Sequence, residues 1–274
     1  MHAQARAASL ARSESPLVIA HRGASADAPE HTLAAYQAAL DQGADGLECD
    51  VRLTADGHLV CVHDRRVDRT TNGRGVVSTL ELAELRSLDF AARHGSWGFD
   101  DEEQPDQDRS SVLTLEALLG LASDTGRRVH LAIETKHPTR YAGLVERTLL
   151  DLLRRHGMAA PHGDDRPHAA VMSFSWIGLR RVRALAPRLP TVLLMDRVPL
   201  RFRDGTLPLG VGVAGPSIDV IRAHPSYAQR VQAHGHRVYV WTVNEPADVA
   251  LCRAAGVDAI ITDRPEATRA QLLA

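Results

Sequence analysis

Three short apolar runs in this chain end in charge: Ile19-Ala20-His21-Arg22-Gly23, Gly46-Leu47-Glu48-Cys49-Asp50-Val51 and Leu59-Val60-Cys61-Val62-His63-Asp64. A buried parallel strand reads this way when its last residues carry polar side chains to the mouth of an α/β barrel. Residues i and i+2 of an extended strand face the same way, so Glu48 and Asp50 share a face while Cys49 turns to the other. Leu131-Ala132-Ile133-Glu134-Thr135-Lys136 repeats the pattern and puts Glu134 and Lys136 on one face. Three carboxylates at neighbouring strand ends repel one another unless a cation or a pair of bases neutralises them, and an all-oxygen set selects Mg2+ or Ca2+ over zinc. Arg22 and Lys136 beside such a cluster balance its charge or clamp phosphate oxygens, and the guanidinium fork favours the clamp. The set reads as metal-assisted phosphate chemistry.

Each of these residues also has a plainer use. His21 and His63 are two of 14 histidines, most of which in any chain sit on the surface or in packing contacts; what sets these two apart is that both end apolar strands. Glu48 and Asp50 by themselves would serve equally well as salt-bridge partners of arginines at the barrel mouth, and Glu134 tips the balance towards a metal. Trp241 ends a strand in a chain with only 4% aromatic residues, where it either packs in the core or lines a pocket. Cys49, Cys61 and Cys252 are odd in number and lack C-x-x-C spacing, so they read as buried free thiols; no neighbour activates Cys49.

The elements that must position these side chains alternate as β/α units. Strands are expected at Leu17 to Ala20, Gly46 to Val51, Val129 to Glu134, Ala169 to Phe174, Thr191 to Met195, Leu209 to Ala214, Arg237 to Trp241 and Asp258 to Ile261. Helical spacing falls at Thr32 to Gln42, Thr114 to Ser123, Tyr141 to Arg155, Trp176 to Leu185, Tyr227 to His234, Pro246 to Ala255 and from Pro265. The turn signal Thr54-Ala55-Asp56-Gly57-His58 returns the chain into Leu59 to Val62 as a hairpin within the barrel wall. The rhythm breaks from Arg65 to about Ser111, where the acidic run Phe99 to Asp106 cannot supply a packed element. Eight strands alternating with helices predict a (β/α)8 TIM barrel, an α/β fold, with a small insertion at about 65–111.

At 274 residues, 44% hydrophobic and 24% charged, one barrel domain over 15–274 accounts for the chain, with residues 1–14 as a mobile tail. A net charge of -2 and a pI near 6.7 lack the basic excess that nucleic acid or an anionic membrane requires. No run approaches membrane-spanning length, the first ten residues lack the apolar core of a secretory signal, and there is neither a basic amphipathic helix nor an apolar loop tip. A cytoplasmic protein with no stable membrane association is expected; self-association into a homo-oligomer is compatible with the sequence.

Several separated motifs in fixed order make the chain resemble the glycerophosphodiester phosphodiesterase family from His21 to about Pro265. They are His21-Arg22-Gly23 with Pro29-Glu30, Glu48-x-Asp50, His63-Asp64 followed by Arg69-Thr70-Thr71-Asn72-Gly73, Glu134-x-Lys136, Trp241-Thr242-Val243-Asn244 and Thr262-Asp263-Arg264-Pro265. The resemblance implies a (β/α)8 barrel with its insertion after the second strand. It implies His21 and His63 as a general acid/base pair, and Glu48, Asp50 and Glu134 as ligands of one divalent cation, Mg2+ or Ca2+. Arg22 and Lys136 would hold the phosphate, and Trp241 and Phe174 would line the side that accepts glycerol or the leaving alcohol. The implied reaction is metal-dependent hydrolysis of glycerophosphodiesters such as glycerophosphocholine or glycerophosphoethanolamine to sn-glycerol 3-phosphate and an alcohol. Attack by water and attack by the neighbouring glycerol hydroxyl through a cyclic phosphate both fit, as do both assignments of acid and base. The alternatives are a phospholipase D-like enzyme of the same barrel lineage, acting on sphingomyelin or lysophospholipids, and a noncatalytic phosphate-binding barrel. The chain departs from the family pattern at His31, where asparagine is usual, and lacks the proline common before Thr114-Leu115.

Overall fold

The computed structural model describes residues 15–92, 110–137, 143–160 and 169–274. The expected tail, the acidic run at 99–106 and the start of the helix expected from Tyr141 lie outside the described residues. Nine strands form one sheet: β1 (Leu17–His21), β2 (Gly46–Leu53), β3 (Leu59–Cys61), β4 (His130–Thr135), β5 (Ala169–Ser173), β6 (Thr191–Met195), β7 (Val213–Pro216), β8 (Arg237–Val240) and β9 (Ala259–Thr262). All but β3 run parallel, and β1 pairs with both β2 and β9, so the sheet closes into an eight-stranded (β/α)8 barrel. The helices are α1 (Leu33–Asp41), α2 (Leu82–Arg86), α3 (Leu115–Ser123), α4 (Leu144–Arg155), α5 (Trp176–Leu185), α6 (Ile218–Ala223), α7 (Tyr227–Ala233), α8 (Pro246–Ala255) and α9 (Pro265–Leu273).

The period of two in the strands separates two cores. Leu47, Cys49, Val51, Leu131 and Ile133 face outward and pack with Leu118 and Leu119 of α3 and Leu149 and Leu150 of α4. Ile19, Ala132, Ala170, Val192, Val213 and Ala259 face inward and fill the barrel. Each fully buried leucine of the outer layer contributes about 1.5–3 kcal/mol by leaving water. Helix starts are encoded locally: Thr32, Thr114 and Ser175 cap α1, α3 and α5 by accepting from the backbone N–H groups of Ala35, Ala117 and Gly178, each at 3.2 Å. Proline opens α8 and α9, where its missing N–H costs no helical bond.

The end of β1 is pinned by a glycine. Gly23 has φ +89°, and a Cβ there would stand 2.6 Å from the Ala35 carbonyl carbon, so only glycine lets β1 turn against α1. The preceding Arg22 also has positive φ, at 59°, a conformation that costs a non-glycine residue roughly 1–3 kcal/mol and collects at functional sites.

β3 enters the wall in the opposite direction to the barrel strands. β1 covers β2 only from Gly46 to Glu48; beyond that β3 runs antiparallel to β2, pairing Leu59 to Leu53 and Cys61 to Val51. His63 and Asp64 therefore reach the mouth from a returning strand and not from a parallel strand end. The chain after them folds around its own apolar cluster of Val60, Val62, Val67, Val77, Leu82, Leu85, Phe90 and Val112. Three elements differ from expectation, and one of them is α2, five residues of helix inside the expected insertion. β7 begins at Val213 because Gly210, at φ +87°, turns the chain and leaves Leu209 exposed. α6, only six residues long, is too short to show a helical period.

Candidate active site

The inward positions at the C-terminal ends of β1, β2 and β4 meet by register: His21 stands beside Glu48, and Asp50 beside Glu134. The structure brings together eight of the residues expected from sequence. His21, Arg22, Glu48, His63, Glu134, Lys136, Phe174 and Trp241 line one open cleft with Met172, Leu194, Asp196, Thr242 and Ile261. Asp50, the ninth, lies beneath it, buried. The cleft holds about 240 Å³, below the ~300–1,000 Å³ of sites for drug-sized ligands, and so suits a small molecule.

Both histidines rest their Nδ1 on a carboxylate at 2.7 Å, His21 on Asp263 and His63 on Asp64. A carboxylate at Nδ1 fixes the proton there and leaves Nε2 free to exchange one with a substrate. Asp263 is itself held by Ser25 Oγ at 2.8 Å and Asn244 Nδ2 at 2.6 Å. Burial works against its charge, but the His21, Asn244 and Ser25 bonds outweigh that and bring its pKa down to about 2. Burial, helped by the charges of Arg22 and Lys136, lowers the proton affinity of His63 against the pull of Asp50 and Asp64.

Glu48, Asp50 and Glu134 are all buried and offer oxygen atoms within 4.8 Å of one another, a group able to hold a metal ion. Lys136 Nζ reaches Asp50 Oδ1 at 2.9 Å and Glu134 Oε1 at 2.8 Å, and Arg22 Nε forms an ion pair with Asp50 Oδ2 at 3.1 Å. Two cations against three acids leave the cluster short of positive charge. Burial and the charge of Asp50 push Glu48 well above the usual carboxylate range and Glu134 up to about 8. Asp50 alone goes down: burial opposes its charge, but the hydrogen bond with His31 and the charges of Lys136 and Arg22 prevail.

His31, φ 63°, is buried and not at the surface of the mouth. Its Nε2 lies 2.9 Å from Asp50 Oδ2 and its Nδ1 2.8 Å from the Tyr36 hydroxyl, which donates to the Glu48 carbonyl at 3.0 Å. The positive φ suits the asparagine usual at this position in the family the sequence resembles. On the far wall Phe174 and Trp241 meet edge to face with centroids 5.5 Å apart, and Trp241 Nε1 donates to the Gly215 carbonyl at 2.8 Å. Trp241 therefore lines the cleft and also packs. Ser173, at the end of β5, is buried and donates to the Thr135 carbonyl at 3.0 Å, so it holds two strand ends together. Phe174 lines the cleft from the loop before α5, and Trp176 and Ile177, likewise exposed, open that helix.

Sequence reasoning quoted Asp263, Asn244, Glu30 and Arg69 within motifs but gave them no role. Arg69 donates from Nε to Asp64 Oδ2 at 2.6 Å, and from Nη1 and Nη2 to Glu30 at 2.8 and 2.7 Å. Their polar types were the only signal; the partners lie on other elements.

Comparison with known proteins agrees with this geometry. The sequence model of the glycerophosphoryl diester phosphodiesterase family matches residues 21–267. A Mycobacterium tuberculosis protein named probable glycerophosphodiester phosphodiesterase 1 is 51% identical over 259 residues, covering 94% of this chain and 92% of the relative. A Bacillus subtilis glycerophosphodiester phosphodiesterase is 33% identical over 255 residues, covering 91% and 84%. Among solved structures, an Oleispira antarctica phosphodiesterase in complex with the product sn-glycerol-3-phosphate superposes with a TM-score of 0.78 at 25% identity, covering 95% of this chain and 98% of that one.

Proposed function

The chain belongs to the glycerophosphoryl diester phosphodiesterase family, and on that premise we propose how this site performs the hydrolysis of a glycerophosphodiester to sn-glycerol 3-phosphate and an alcohol. The observation that carries the reading is the convergence of two His–Asp pairs on a cleft floored by a buried three-carboxylate cluster with Arg22 and Lys136 beside it.

A phosphodiester anion repels nucleophiles, so charge on its nonbridging oxygens must be neutralised as the transition state forms. Arg22 and Lys136 line the cleft and supply N–H donors for those oxygens. Glu48, Asp50 and Glu134 fit a divalent cation, Mg2+ or Ca2+, because the donor set is all oxygen, buried and short of positive charge. A cation bound there would polarise a phosphoryl oxygen and add charge stabilisation. Lys136, which now neutralises Asp50 and Glu134, would be released for the phosphate. One histidine Nε2 takes a proton from the attacking hydroxyl while the other protonates the leaving alkoxide. Asp263 and Asp64 stabilise the imidazolium as each ring becomes charged. Phe174 and Trp241 form the apolar wall against which the carbon skeleton of the glycerol or the alcohol lies.

Among the described residues no helix is long and apolar enough to cross a membrane, and the cysteines are free and buried, which supports a cytoplasmic enzyme acting on a small substrate. The exposed apolar side chains of Phe174, Trp176 and Ile177 support a second reading, in which the glycerol half carries an acyl chain. Incubating the purified protein with glycerophosphocholine, glycerophosphoethanolamine and a lysophospholipid, with Mg2+, Ca2+ or chelator, separates these. Formation of glycerol 3-phosphate from the first two with a cation present is expected. No product from any substrate refutes the reading, and product from the lysophospholipid alone favours the second.

A further inference from the structure

The turns between Asp68 and Gly75 hold themselves together with their own side chains. Asp68 Oδ1 accepts from the Gly75 N–H at 3.1 Å, Thr71 Oγ1 donates to the Val67 carbonyl at 2.9 Å and accepts from the Gly73 N–H at 3.0 Å, and Asn72 Oδ1 accepts from the Asp89 N–H at 3.0 Å. Gly73 packs so closely that a Cβ would stand 2.5 Å from Leu88. With the apolar cluster of Val67, Val77, Leu85 and Phe90 beneath, this is a fixed platform. Arg69 extends its side chain from this platform to Asp64 and Glu30.

The guanidinium of Arg69 uses three donors on three oxygens of two carboxylates: Nε to Asp64, and Nη1 and Nη2 in a bidentate pair to Glu30. The other oxygen of Asp64 holds His63 Nδ1, and Glu30 Oε1 also accepts from Arg22 Nη1 at 3.2 Å. We propose that Arg69 is a positioning residue for the hydrolysis described above: it fixes Asp64, and through it the His63 ring, with Glu30 as the second anchor. The proposal rests on the reading of His63 as one of the acid/base pair.

The reason such a device is needed lies in exposure. The His63 and Asp64 side chains are each 33% exposed, so packing does not hold the ring, and a carboxylate with one partner would rotate about its own bonds. Exposed ion pairs contribute little stability, so the effect of Arg69 is orientation. Only a planar fork spans both carboxylates; a lysine ammonium at the same place is a point charge and cannot. A misplacement of about 1 Å at a reacting group costs on the order of 10²-fold in rate.

The test is a double-mutant cycle in the full chain with saturating cation and glycerophosphocholine. Arg69→Gln should lower kcat by roughly 10- to 100-fold while KM moves less than about 3-fold, and Arg69→Lys should recover little of the loss. In a His63→Ala background, adding Arg69→Gln should cost less than about 3-fold, because the ring it positions is gone. Losses that multiply in full, or an Arg69→Lys enzyme equal to the native one, would overturn the proposal. A His63→Ala enzyme as fast as native would overturn it too, but by refuting the role of His63. Should Arg69→Gln fold poorly, Arg69→Lys keeps the charge, loses the fork and should give a kcat loss that likewise disappears without His63.

Discussion

His31 Nε2 stands 2.9 Å from Asp50 Oδ2, tying a buried ring to a carboxylate of the candidate metal cluster. The contact fixes the carboxylate's rotation, because Tyr36 holds the opposite side of the ring at 2.8 Å. Partners of this kind orient metal ligands, and removing one typically costs about 10- to 100-fold in metal affinity. His31→Ala should weaken Mg2+ or Ca2+ binding by that order in a calorimetric titration. His31→Gln should weaken it less, since its longer side chain carries an amide to the place of Nε2 and can still donate to Asp50. Equal affinity in all three proteins would show that the contact positions nothing.

Asp263 links acid stability to the dyad with His21. Its folded pKa of about 2 lies below the ordinary aspartate value of 3.8, so its bonds stabilise the fold above pH 4 and are lost as the pH falls through about 2. An Asp263→Asn variant should therefore lose less stability than the native chain between pH 4 and pH 2, measured by urea unfolding. Its kcat should also fall, on the order of 10²-fold or more, because an amide at Nδ1 no longer enforces the tautomer. A native acid profile would contradict the pairing.

Metal dependence should be separable from folding. Glu48→Gln and Asp50→Asn should act through cation affinity, so activity lost at low cation concentration is partly recovered at high concentration. Thermal unfolding with and without added cation gives the second readout: the native chain gains stability and the variants gain less. Full turnover by the native protein in excess chelator, with no residual metal, would refute the cluster as a metal site.

The two histidines should differ by leaving group. Each His→Ala variant should lose on the order of 10²-fold or more in rate, and the profile of kcat/KM against pH should be bell-shaped. A nitrophenyl phosphodiester, whose leaving group needs no proton, should rescue the variant lacking the acid and leave the other slow. If both variants keep near-native rates on glycerophosphocholine, His21 and His63 are structural.

Gly23 offers a stability test at the edge of the site. Gly23→Ala forces a Cβ to 2.6 Å from Ala35 at a φ of +89°, and loss of more than about 1 kcal/mol is expected from strain at such a position. Urea unfolding of the two proteins measures it, and an unchanged midpoint would mean that β1 and α1 can separate at no cost.

What the sequence made legible followed from short-range periodicity. Glu48, Asp50 and Glu134 were readable because strand side chains alternate, and the helix starts because threonine and proline act on their own first turn. The return of β3 was legible from the Asp56-Gly57 turn, which predicts a hairpin into Leu59 to Val62, and β3 indeed pairs antiparallel with β2. The partners of the catalytic candidates were least legible. Asp263 lies 242 positions from His21, and Glu30 lies 39 from Arg69, so nothing local marks them as pairs. The burial of His31 against Tyr36 depends on the positive φ of one residue, which no periodicity reveals.

The seam between β1 and β9 makes the site a late product of folding. His21 ends the first strand and Asp263 follows the last, and Leu17 to Ala20 align with Ala259 to Thr262 only when the ring shuts. Pairings so distant in sequence are slow to form, because the loop between them must first be ordered. A growing chain therefore acquires His21 early and its partner Asp263 late, and the two meet only once the last strand has docked. Recovery of activity during refolding would then time the closure of the ring more sharply than the return of helix signal does.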